Sequence, residues 1–147
     1  MDHTNTANKE NKLFRHILED MNRKDEFTDS IGIEITSVCP HEAEGILHPR
    51  ANHVNPVGTV HGGCICALMD AVGGAAGASS GFGCITIDCN LHFFKAAKPS
   101  ATLYCRATPL SLGHRIQVFD VSVSDADQVQ IAKGIYTYRL VQPIGTE

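Results

Sequence analysis

The chain has 147 residues and 15.9 kDa, 43% of them hydrophobic and 19% charged, which is enough for one compact domain with its own core and too little for two. A net charge of −4 carries no basic footprint of a DNA- or RNA-binding surface, and the charge is uneven: residues 51–90 hold two acids and no Lys or Arg, whereas residues 91–147 hold six bases against four acids. The most apolar stretch, residues 62–87, contains one Asp and seven glycines, which argues against a transmembrane span and predicts a buried helix followed by a strand.

The opening MDHTNTANKENK lacks the basic flank and apolar run of a secretory signal, so residues 1–8 read as a flexible polar arm before a single domain over 9–147, with the cytoplasm as the expected location. Leu13, Ile17, Leu18 and Met21 recur at helical spacing among charges and predict a short amphipathic helix over residues 9–22. From Ile31 the period becomes two: Ile31, Ile33 and Ile35 alternate with Gly32, Glu34 and Thr36, a half-buried strand with a hairpin partner over residues 43–48 after the Pro40 turn. Residues 49–61 read as loop, punctuated by Asn55, Pro56 and Gly58.

A helix over residues 63–79 follows, with no polar stripe, so it is expected to be covered on nearly every side. Gly73, Gly74 and Gly77 each cost about 1 kcal/mol of helix propensity against Ala, a cost that close approach of a neighbouring backbone would offset. Four strand-like runs come next, over residues 84–94, 101–110, 115–124 and 129–141, with turns at Lys98-Pro99, Gly113 and Asp125-Ala126-Asp127. In the first of them, alternation puts Ile85, Ile87, Cys89 and Leu91 on one face and Thr86, Asp88 and Asn90 on the other. Helix, two strands, buried helix, four strands is an α+β order, and a curled antiparallel sheet of about six strands around the central apolar helix satisfies it.

Six cysteines stand at 39, 64, 66, 84, 89 and 105. Cys64 and Cys66 lie about 200° apart on a helix and cannot grip one ion, and an odd separation places Cys84 and Cys89 on opposite strand faces, so neither a metal nor a disulfide framework is expected. These thiols read as small core hydrophobes, with Cys64 beside His61 at a helix N-terminus as a weaker nucleophile candidate.

Asp70 is the only charged side chain between Gly62 and Ile87. A carboxylate in so apolar a setting, with no Lys or Arg nearby in sequence, is a candidate general base or nucleophile. Just before the helix stands Asn55-Pro56-Val57-Gly58-Thr59-Val60-His61-Gly62-Gly63. Consecutive glycines at a helix start expose N–H groups that have no intrahelical partner, an oxyanion site in the making. Asn55 and His61 border that mouth on the entering loop, with turn-capping and backbone hydrogen bonding as their plainer roles.

The string NPVGTVHGGCICALMDAVGGAAG, followed by TIDCNLHFFKAAKPS, resembles the PaaI-like hotdog-fold acyl-CoA thioesterases, which carry N-x-x-G-x-x-H-G-G and then a helix with Asp nine residues after that His. The likeness runs loosely from Ile31 to Arg139. It implies hydrolysis of an aryl- or medium-chain acyl-CoA to free acid and coenzyme A. Asp70 would be base or nucleophile, the Gly62 N–H would polarise the thioester carbonyl with Gly63 beside it, Asn55 would lie near the attacking water, and Thr86 on the following strand would assist. It also implies sites shared between two subunits of a homodimer or homotetramer, coenzyme A phosphates held by Arg115 with Lys95 and Lys98 behind it, and no cofactor beyond the substrate. His114 stands where many such proteins have a second Arg. The alternatives are a hotdog-fold hydratase or dehydratase and a non-catalytic acyl-CoA sensor.

Overall fold

The computed structural model describes residues 3–145. Helix α1 (His3–Arg23) begins before the segment that periodicity selects, so part of the expected arm is helical; residues 1 and 2 lie outside the described residues. Ile17 is buried beneath α1, and Leu13, Leu18 and Met21 pack beside it, the apolar stripe the spacing predicts. Asn22 clasps the next strand with two bonds, donating to the Ile35 carbonyl at 2.9 Å and accepting the Ile35 N–H at 2.8 Å.

A second helix, α2 (Glu26–Ile31), was not expected. Asp25 caps it by accepting the N–H groups of Phe27 and Thr28, and Gly32 closes it in the left-handed region at φ 77°. Strand β1 (Ile33–Cys39) therefore starts two residues later than the alternation suggests, because Ile31 belongs to the helix. It pairs with β2 (Glu42–Leu47) as the predicted hairpin.

Helix α3 (Gly62–Ala78) crosses from β2 to the far edge of the sheet, where β3 (Phe82–Phe93) begins. With β4 (Leu103–Leu112), β5 (Ile116–Ser124) and β6 (Gln130–Pro143), the six strands form one antiparallel sheet in the order β1-β2-β4-β5-β6-β3. The sheet packs on α3 through fully buried residues such as Leu47, Leu103, Phe119 and Tyr136, facing Leu68, Met69 and Val72. This is the hotdog arrangement. Cover on α3 is incomplete along one line: Cys66 and its neighbour Ala67, then Asp70 and Gly74 at steps of three and four, stay half-buried.

Two expectations about β3 and α3 are corrected. A bulge between Thr86 and Asp88 inserts Ile87 as an extra residue opposite β6, so the alternation reverses beyond it. Thr86 pairs across with Tyr138 and Cys89 with Tyr136, and both tyrosine hydroxyls reach α3. Thr86 thus shares the helix-facing side with Cys84, Cys89 and Leu91, while Asp88 and Asn90 turn away, and Cys84 and Cys89 do not oppose each other. The helix glycines, for their part, admit side chains instead of backbone: a Cβ at Gly73 would collide with the Tyr138 hydroxyl, and one at Gly77 would lie 3.2 Å from Cys84 Sγ.

At Gly74 an added Cβ would sit 3.8 Å from the Tyr138 ring, an ordinary contact. Gly73→Ala is therefore expected to destabilise by about 1–3 kcal/mol through overpacking, despite its better helix propensity. Gly74→Ala should instead be neutral or stabilise by up to about 1 kcal/mol. Urea unfolding midpoints of the two variants check the opposite signs, and equal midpoints would mean that Tyr138 moves aside freely.

Candidate active site

The loop before α3 is built from backbone bonds that few side chains could supply. The Val60 N–H reaches the Ala97 carbonyl at 3.0 Å, the His61 N–H reaches the His53 carbonyl at 2.7 Å, and Val54 bridges Val60. Inside this hairpin Asn55 forms a closed turn: Oδ1 accepts the N–H groups of Val57 and Thr59, and Nδ2 donates to Thr59 Oγ1 at 2.9 Å. One Nδ2 hydrogen stays available.

His53 is the keystone of the loop, and sequence reasoning passed it over. It is 3% exposed in a 3-10 turn (Ala51–His53), and its Nδ1 accepts the Arg50 N–H at 3.0 Å. The ring proton therefore sits on Nε2, which is buried without a partner among the described residues. Burial first, and the Arg50 charge second, hold its pKa below the ordinary histidine value.

At the mouth of α3, His61 serves as the N-cap: its Nδ1 accepts the Gly63 N–H at 2.9 Å, and its carbonyl accepts the N–H groups of Cys64 and Ile65. This occupies the His61 nitrogen nearest the helix and uses up the Gly63 donor. The Gly62 N–H is left as the donor without a partner among the described residues. Asn55, Gly62 and Lys95 line one cleft of about 300 Å³, with Phe93 and Phe94 on its far wall. Lys98 is exposed on the same segment as Lys95.

Asp70 lies eight residues further along the helix, about 12 Å from Gly62 at 1.5 Å per residue. Thr86 donates to its Oδ1 at 2.6 Å, and the Tyr138 hydroxyl donates to its backbone carbonyl at 2.8 Å while standing 3.4 Å from Oδ1. No ion pair among the described residues includes Asp70. Burial, then the Asp70 charge, push the Tyr138 hydroxyl far above the usual tyrosine range, so it remains a donor. Tyr138 was not foreseen, although Tyr136 and Tyr138 at strand period on β6 were a signal for it.

Asp70 and Thr86 open onto a different cleft, of about 210 Å³, between α3 and the α1–α2 pair. Within one chain the expected site is thus two halves, Asn55 with Gly62 in one and Asp70 with Thr86 in the other. Arg115 is exposed at the β4–β5 turn, beside the Ile116–Arg139–Ile85 row. Lys95 follows the opposite end of β3, about eight residues and roughly 26 Å away along the strand.

Burial shifts two of the thiols on or beside α3 away from the thiolate. Burial raises the Cys64 pKa, against the idea of an activated thiolate there, and burial with Asp70 pushes Cys84 up to about 11. The described cysteines are free, and among the described residues no group of three His, Cys, Asp or Glu could hold a metal. No helix among them is long and apolar enough to cross a membrane.

Comparison with known proteins agrees with this architecture. Residues 57–132 match the family model described as the thioesterase superfamily. A Schizosaccharomyces pombe protein whose name reads "Putative esterase" is 32% identical over 108 residues, 71% of this chain and 67% of that one. The structure of Escherichia coli PaaI, from the phenylacetic acid degradation operon, superposes with a TM-score of 0.85 at 21% identity, covering 91% of this chain and 96% of that one. A Streptococcus mutans protein solved with acetyl CoA gives 0.74 at 23% identity over 78% and 92% of the two chains.

Because His53 has a lowered pKa when folded, it stays neutral there while the unfolded chain takes up a proton below about pH 6.5. Its contribution to stability is complete above that pH and is lost as pH falls toward the folded-state value. Melting temperatures between pH 7.5 and 5 should fall less steeply in His53→Asn than in the wild type, and parallel slopes would show that His53 does not titrate with unfolding.

Proposed function

The chain belongs to the thioesterase superfamily and is a thioester hydrolase, and from that premise we propose that it hydrolyses an aryl- or medium-chain acyl-CoA with Asp70 as general base or nucleophile. The observation that carries this reading is the Asp70–Thr86 hydrogen bond: a half-buried carboxylate, in no ion pair among the described residues, is held at one oxygen and left open at the other. As base, Asp70 takes a proton from water as the oxygen attacks the thioester carbon. The Gly62 N–H receives the developing oxyanion, the C–S bond breaks, and a proton goes to the departing coenzyme A sulfur. As nucleophile, Asp70 attacks the carbonyl carbon directly, the C–S bond breaks with coenzyme A leaving as thiolate and taking up a proton, and water then cleaves the mixed anhydride to free acid and the regenerated carboxylate. Thr86 fixes the carboxylate in either route, Asn55 offers its free amide hydrogen to the water, and His61 acts through the helix mouth it caps.

A separation of about 12 Å along α3 keeps Gly62 and Asp70 of one chain from meeting on one carbonyl, which supports a site shared between two copies. β3 is a sheet edge with exposed Ile85, Ile87 and Phe93 along it, and an edge of that kind is a natural seam for a second copy. In such a homodimer, or a homotetramer built from it, Lys95 and Lys98 of one chain and Arg115 of the other are the cations available to the coenzyme A phosphates.

Asp70→Asn should lower kcat/KM for acyl-CoA by about 10²- to 10⁴-fold with little change in unfolding, followed as coenzyme A release by a thiol reagent. Retained turnover would remove Asp70 from the chemistry. Subunit sharing has its own test, in which Asn55→Ala/Gly62→Pro chains are refolded with Asp70→Asn chains. Proline is tolerated at the first helical position, so the double variant deletes the donor without breaking α3. Random association makes roughly half the dimers mixed, and each should regain one intact site. An inactive mixture whose mixed dimers are verified by mass would place all these groups within one chain.

A further inference from the structure

Resting on the thioesterase reading with Asp70 at the reacting centre, we infer that Tyr138 is a positioning residue for the hydrolysis. Its hydroxyl, bonded to the main chain of Asp70, fixes the rotation of α3 against the sheet so that the carboxylate meets Thr86. Three sheet side chains hold α3 by its carbonyls, along one line and one turn apart. Tyr136 donates to the Cys66 carbonyl at 3.3 Å, Tyr138 to the Asp70 carbonyl at 2.8 Å, and Cys84 Sγ to the Gly74 carbonyl at 3.3 Å. Each carbonyl has a second lone pair beyond the one the helix uses, so these ties add to the helical bonds without replacing them. The shortest of the three falls on Asp70.

On this side α3 carries Gly73, Gly74 and Gly77, which have no side chains to interlock with the sheet, so directional bonds from the sheet set the helix's rotation here. The Tyr138 donor is itself immobile. The residue is 1% exposed, its ring edge-on to Phe119 with centroids 6.0 Å apart and stacked on Tyr136 at 6.4 Å. Its hydroxyl occupies the space that a Cβ at Gly73 would need.

Thr86 stands directly across from Tyr138 in the β3–β6 pairing, so one cross-strand pair grips one residue of the helix. Tyr138 holds the Asp70 carbonyl, and Thr86 donates to its Oδ1 at 2.6 Å. The Tyr138 hydroxyl also lies 3.4 Å from Oδ1, but its single hydrogen goes to the nearer carbonyl and leaves Oδ1 to Thr86. Tyr138 thus sets where the carboxylate stands, and Thr86 how it turns.

The test measures kcat and KM for phenylacetyl- and decanoyl-CoA, as coenzyme A release, on the wild type, Tyr138→Phe, Gly73→Ala and the double variant, with a melting curve for each. Tyr138→Phe removes the donor and keeps the ring. It should lower kcat by about 10- to 100-fold, the scale of a small displacement of a reacting group, with KM changed by less than about 2-fold. Gly73→Ala drives a methyl into the place of the same hydroxyl; it should lower kcat as well, and it reports on the same bond should Tyr138→Phe not fold. In the double variant the methyl takes the space the hydroxyl vacates, so the melting temperature should rise above that of Gly73→Ala while kcat stays low. Recovery of kcat together with stability, a kcat within about 2-fold of wild type in folded Tyr138→Phe, or a loss confined to KM would each overturn the positioning role and leave the thioesterase reading standing. A folded wild type that releases coenzyme A from neither substrate would overturn the thioesterase reading itself, and the role of Tyr138 with it.

Discussion

Everything in this fold answers to the need to bury α3. Seventeen residues whose only ionisable side chains are two thiols and one carboxylate cannot face water on any broad side, and a 147-residue chain has one economical cover, a sheet that curls. Cover by β-strands is finite, and it fails along the line of Cys66, Ala67, Asp70 and Gly74. The place where the hydrophobic solution runs out is where the polar chemistry stands. Asp70 is tolerable there because it is half-solvated and hydrogen-bonded by Thr86, at far less cost than a fully buried unpaired charge.

The helix also distributes the functional groups. Its N-terminus presents N–H donors whose partners are rationed by His61, and its middle carries the carboxylate two turns on. Both positions are rigid because α3 is packed on most sides, so the loop of Asn55 needs only to be anchored at its two ends. His53 at one end and the Val60–Ala97 bond at the other provide this. Precision at the site is borrowed from the core.

The sequence was a good guide where one physical signal dominated. The α3 segment, the glycines at its start and the place of Asp70 on it were legible because hydrophobic periodicity and charge isolation dominate there. Thr86 came from family resemblance, and the parity argument offered for it put Asp88 and Asn90 on its face, which the bulge at Ile87 undoes; no composition rule marks such a bulge. Helix α2 was hidden by a coincidence. Ile31, Ile33 and Ile35 alternate perfectly, and that pattern outweighed the quieter signature of Asp25 at one end and Gly32 at the other. His53 and Tyr138 were missed because each is defined by a partner distant from it in role or sequence: a backbone N–H in one case, the turn of a helix 68 residues away in the other.

The bulge in β3 also shapes what the open edge of the sheet can accept. A twelve-residue edge strand with exposed isoleucines and phenylalanines would, if regular, be a template for any extended segment passing by. Interrupting its hydrogen-bond ladder after Thr86 spoils it for a generic strand, since a regular visitor falls out of step halfway along. The irregularity works as a guard: it opposes open-ended strand addition along this edge.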